Sequence, residues 1–152
     1  MTAKTPDQIK EEIIAQFGFF PPFFEPAMNN PRVLENLWHQ TLHAYIQNPV
    51  PDLFKEKLAA LLARYCSVPY CLICHSSALR PLGMKASEVF ELLSATPLSS
   101  EEIASKTNSI PNQVLEQWPV SGSELEESIL HCCVAIFLSL DSQTCLEKLR
   151  AS

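Results

Sequence analysis

Cys71, Cys74 and His75 fall within five positions of one another in the stretch VPYCLICHSSALRPLG, residues 68–83. A Cys-x-x-Cys pair at a helix start is a redox device for a physical reason. The two sulfurs lie one turn apart and can bridge, while the open amides and the helix dipole favour a thiolate. Pro69 marks a helix start, which puts Cys71 in the first turn. Cys71 and His75 are i and i+4, so they share a helix face, and the imidazole can take the thiol proton or stabilise the thiolate. On those local grounds Cys71 is the favoured nucleophile, with Cys74 beside it.

Three other readings of the same residues compete. Cys-x-x-Cys-His is formally the attachment pattern of a c-type haem, although haem attachment normally accompanies export. A structural metal site could draw on Cys66, Cys71, Cys74 and His75, but adjacent residues splay apart on a helix and a second Cys-x-x-Cys knuckle is missing. The blandest reading makes the cysteines small apolar core residues and His75 a satisfied core histidine. Cys66, Cys132, Cys133 and Cys145 are expected in the core. His39 and His43 form another i, i+4 pair, with no evident third ligand.

The chain around these residues has 152 positions, 47% of them hydrophobic and 18% charged, including eight Phe. That composition is globular and sufficient for one domain with its own core. A formal charge of −6, without any Lys/Arg cluster, argues against nucleic acid and anionic membranes as partners. The N-terminal stretch does not read as a secretory signal, and the longest apolar run, Ile129 to Leu140, is short of the roughly 20 residues of a bilayer span. A cytoplasmic protein with mostly reduced thiols is expected.

The elements that must position the dithiol are helical throughout, because apolar residues recur at helical spacing and no stretch sustains a period of two. Thr5–Pro6 and Asn30–Pro31 are start signals, and Gly18 and Asn48–Pro49 are stops. The Pro- and Phe-rich connection between the first two helices is too apolar for a solvated linker. A third helix follows Pro51, with Phe54, Leu58, Leu61, Leu62 and Tyr65 inward, and the cysteine helix runs to about Arg80. Further helices are expected after Ser87, Ser99 (a capping box with Glu102) and Ser121 (with Glu124), over PNQVLEQW, and around Cys145 and Leu149. The C-terminal third either completes the bundle or covers an oligomer interface.

The order of these features, FGFFPPFF, NPRVLENLWHQTLHAY, LFKEKLAALLARYCSVPYCLICHSSAL and PLGMKASEVFELL, resembles the alkylhydroperoxidase D-like (carboxymuconolactone decarboxylase) superfamily over roughly Phe17 to Leu93. The resemblance implies a compact all-α helical bundle of that type, one domain over residues 1–152 with a family-like core at about 17–93 and a helical extension at about 97–152. It implies a homo-oligomer with the cysteine helix near its inner core, and no cofactor or metal. The second cysteine, Cys74, would attack the hydroperoxide and Cys71 would resolve the sulfenic acid to a disulfide. Glu56 and His75 would belong to the proton relay, and a dithiol protein would reduce the disulfide. The family histidine stands four residues after the second cysteine, where this chain has Ala78, and its inter-cysteine histidine position is Ile73.

Two functions follow from different classes. One is a thiol-dependent peroxidase or disulfide oxidoreductase acting on hydrogen peroxide or organic hydroperoxides, for which Phe19, Phe20, Phe23, Phe24 and Trp38 could offer apolar surroundings. The other is a non-catalytic oligomerisation or redox-sensing module with an incomplete relay.

Overall fold

The computed structural model describes residues 4–96, 98–111, 118–138 and 142–151; the expected helix over PNQVLEQW lies almost wholly outside them. Among the described residues every regular element is helical and no strand occurs. None of these helices is long and apolar enough to cross a membrane. The chain divides into two compact units, Met1–Pro49 and Val50–Ser152.

The first unit begins with α1 (Pro6–Phe17), opened by a reciprocal capping box between Thr5 and Gln8 and closed by Gly18 in the left-handed region, φ 78°. A 3-10 segment, Pro22–Ala27, leads to α2 (Pro31–Gln40), whose first turn is held by the Asn30 side chain accepting from the Val33 N–H. The helix then widens into a π-type stretch, Thr41–Ile46, instead of continuing regularly. The Thr41 hydroxyl donates to the Leu37 carbonyl at 2.8 Å, competing with the regular ladder where the widening begins. Ile9, Ile13, Phe24, Leu34 and Trp38 form this unit's core. Phe24 and Trp38 are therefore core rings, while Phe19 and Phe23 are exposed.

The second unit contains α3 (Asp52–Tyr65), α4 (Pro69–Ala78), α5 (Ala86–Ser94), α6 (Ser100–Ser109), α7 (Glu124–Phe137) and α8 (Ser142–Ala151). Helix α3 is the hub, with α4, α5 and α7 packed on it, and α6, α7 and α8 packed on one another. Phe54 and Leu61 of α3 share one buried cluster with Ile103, Ile129, Leu130, Val134 and Cys145. The C-terminal third thus supplies much of this unit's core.

Two helix starts differ from the sequence expectation. Helix α5 begins one residue before Ser87, with Glu88 accepting from the Lys85 N–H at 2.7 Å. Helix α7 is capped by Ser123, not Ser121, because Gly122 occupies the left-handed region at φ 77° and the chain enters the helix only after it. The Ser99–Glu102 capping box of α6 forms as expected.

Candidate functional site

The candidate site is made by the reversal between α3 and α4. Helix α3 ends with Cys66 N–H donating to Leu62 O and Val68 N–H reaching back to Ala63 O, both at 2.9 Å. Between them Ser67 takes φ 54°, the only non-glycine residue with positive φ among those described. This is the hydrogen-bond pattern of a Schellman stop, with serine where glycine is usual. Pro69 then starts α4 at once, and α4 folds back along α3.

The reversal brings together two residues 19 positions apart. His75 Nδ1 and Glu56 Oε2 are 2.8 Å apart, with side-chain exposures of 28% and 15%. A carboxylate only accepts hydrogen bonds, so Nδ1 is the donor of this bond. Such an imidazole is oriented by its partner. Side chains on a helix lean toward its N-terminus, so His75 leans over the turn that carries Cys71. Glu56 and His75, which the sequence could only nominate separately, are thus a pair.

Both dithiol sulfurs are free thiols; Cys71 is half-buried and Cys74 exposed. Helix α4 carries no fully buried residue, and its N-cap Val68 has no side chain able to satisfy the first amides. Val68, Tyr70 and Ile73 expose apolar surface around the pair. In the single chain the cysteine helix is therefore a surface element.

The other cysteines separate into two kinds. Cys66, expected in the core, is exposed, because it sits on the α3 stop and outside the inward face of that helix. Cys132 and Cys145 are fully buried and Cys133 partly so. Thr107 lies 3.1 Å from Cys132 Sγ and 3.3 Å from Cys145 Sγ, and its hydroxyl donates to Ile103 O at 2.7 Å. With its single proton committed there, the oxygen can only accept, so both thiols donate S–H to it. Burial pushes the Cys132 thiol up to about 12, with the neighbouring Cys145 adding to the shift, and Cys133 up to about 11. Nothing in the sequence spacing singled out Thr107.

Among the described residues no three His, Cys, Asp or Glu side chains converge as a ligand set. Cys66, Cys71, Cys74 and His75 form no such group, and neither does the pair His39 and His43, whose rings stand 6.0 Å apart.

No protein-family model matches the chain, and comparison with curated proteins and with solved structures returns no significant match.

Proposed function

We propose that the protein is a thiol-dependent peroxidase or disulfide oxidoreductase that reduces hydrogen peroxide or organic hydroperoxides with the Cys71/Cys74 dithiol. The observation that carries this reading is the 2.8 Å contact of His75 Nδ1 with Glu56 Oε2, one helical turn from a solvent-accessible Cys-x-x-Cys. A buried structural dithiol would need neither the access nor the oriented base.

In the proposed cycle His75 takes the proton of one thiol, and Glu56 stabilises the imidazolium that results. The thiolate attacks the terminal peroxide oxygen. The O–O bond breaks, the sulfur becomes a sulfenic acid, and the leaving alkoxide takes a proton to depart as alcohol, or as water when the substrate is hydrogen peroxide. The second thiol condenses with the sulfenic acid, forming the disulfide and releasing water. An external dithiol protein then supplies two electrons and two protons by exchange and restores both thiols. Greater exposure favours Cys74 as the attacking sulfur; proximity to His75 and the helix start favours Cys71. A homo-oligomer and a dithiol partner complete the proposal.

The test is hydroperoxide consumption in the presence of a small dithiol reductant, for the parent and for Cys71→Ser and Cys74→Ser. Turnover in the parent, lost in both variants with assembly unchanged, supports the enzyme. No turnover in the parent favours the non-catalytic helical module.

A further inference from the structure

Three helices of the second unit meet at one hydroxyl. Thr107 of α6 is buried, and the sulfurs of Cys132 on α7 and Cys145 on α8 lie 3.1 and 3.3 Å from its Oγ1. Both thiols donate to that oxygen, whose own proton goes to the Ile103 carbonyl. Two sulfurs drawn to one atom are neighbours, and they also stand within hydrogen-bonding reach of each other. Cys133, the next residue of α7, is turned about 100° away around the helix and makes no hydrogen bond with either sulfur.

The helix that brings Cys145 is lightly held. Cys145 is the one fully buried residue among the described residues of α8, with Leu149 partly buried against the same core. An element anchored by so little apolar surface opens locally at low cost, and each opening brings Cys145 into water.

We propose that Cys132 and Cys145 form a second disulfide site, a latch that ties α8 to α7 under oxidising conditions and is separate from the dithiol of α4. The oxidant is a low-molecular-weight disulfide. With α8 open, the Cys145 thiolate attacks one sulfur of that disulfide, its S–S bond breaks, and one small thiol leaves with the electron pair and takes up a proton. When α8 closes, the Cys132 thiolate attacks the Cys145 sulfur of the mixed disulfide and expels the second small thiol. Two S–H groups have become one S–S bond, and the small disulfide has been reduced to two thiols. Closing the bond turns both sulfurs from Thr107 Oγ1 toward each other, so the hydroxyl loses two donors. Thr107 therefore favours the dithiol form, and the latch closes against it.

The test equilibrates the protein in glutathione buffers of fixed ratio, followed by acid quench, alkylation and peptide mapping. A Cys66→Ser, Cys71→Ser, Cys74→Ser variant gives the same reading by intact mass; if it does not fold, the map of the parent carries the test. The expected result is a Cys132–Cys145 bridge, a loss of two hydrogens in that variant, and amide exchange across α8 slowed about 10-fold or more. Thr107→Val should raise the ratio of bridged to dithiol protein about 10-fold at the same buffer, Thr107→Ser should restore the parent ratio, and Cys133→Ser should leave the bridge intact. A pair still reduced at equilibrium in oxidised glutathione, a bridge from Cys133, a lasting glutathione adduct on Cys145, α8 exchange unchanged by the bridge, or a Thr107→Val ratio no higher than the parent would each overturn the proposal.

Discussion

Two regions of the second unit carry sulfur, and they treat it in opposite ways. On α4, Cys71 and Cys74 are accessible, stand at an uncapped helix start and have an oriented histidine within one turn. Between α6, α7 and α8, Cys132 and Cys145 are sealed in the core and give their S–H protons to one hydroxyl, Thr107. The same side chain is thus open to solvent near a histidine in one place and sealed against a hydroxyl in the other. Reactivity is decided by access, by a base and by the hydrogen-bond role the neighbours leave open, and not by the presence of paired cysteines.

The comparison breaks most visibly in thiol labelling. Cys66 and Cys74 should alkylate roughly 1,000-fold or more faster than Cys132 and Cys145 in the native protein, because the buried pair reacts only from opened states. Peptide mapping after a short maleimide pulse reads this; comparable rates would erase the distinction. Next, Glu56→Gln should slow peroxide-driven oxidation of the dithiol by about 10-fold or more while changing unfolding free energy by less than about 1 kcal/mol. Stopped-flow thiol kinetics beside a urea melt separates the two effects.

Thr107→Val keeps the shape but removes the acceptor of two S–H groups, and should destabilise by about 1–2 kcal/mol in denaturant unfolding. Cys74→Ser, at the surface, should stay within about 0.5 kcal/mol of the parent. The smallest expected effect belongs to the turn that builds the site. Ser67→Gly relieves a left-handed serine and should stabilise by about 0.5–1 kcal/mol.

Two neighbouring groups of α7 respond to pH in opposite senses. The Cys132 thiol has a higher pKa folded than unfolded, so its contribution is fully present below the ordinary thiol value near 9 and is lost as pH rises toward 12. His131 has the opposite sense. Its pKa is depressed in the fold, so its contribution is present above the ordinary value of 6.5 and is lost as pH falls below it. Urea midpoints of the parent should fall on acidification from pH 7 through this range, and His131→Gln should flatten that slope.

Much of the scaffold was legible in the sequence because its signals are local. Thr5, Asn30 and Ser99 cap helices where their side chains can reach amides three residues on, and Gly18 ends α1 by its own backbone freedom. Ser121 misled because the positive φ of Gly122 moves the start of α7 to Ser123. The Cys-x-x-Cys-His cluster was legible for the same reason of proximity. The pairing of Glu56 with His75 was not fixed by spacing, because it depends on a tight stop at a serine and no glycine announces it. Cys66 was read as core from composition, yet the same stop places it outside the inward face of α3. Thr107 and the Lys57–Glu126 pair were invisible, since their partners lie 25 and more positions away in sequence and only the packing of α3, α6, α7 and α8 joins them.

The most direct measurement is intact mass and a free-thiol count before and after one equivalent of an organic hydroperoxide, with the disulfide mapped by peptide analysis. The proposed chemistry predicts loss of two thiols, a mass decrease of two hydrogens and a single Cys71–Cys74 bridge, formed before any change at Cys132 or Cys145. A Cys71–Cys74 pair that stays reduced while other thiols oxidise slowly would contradict it.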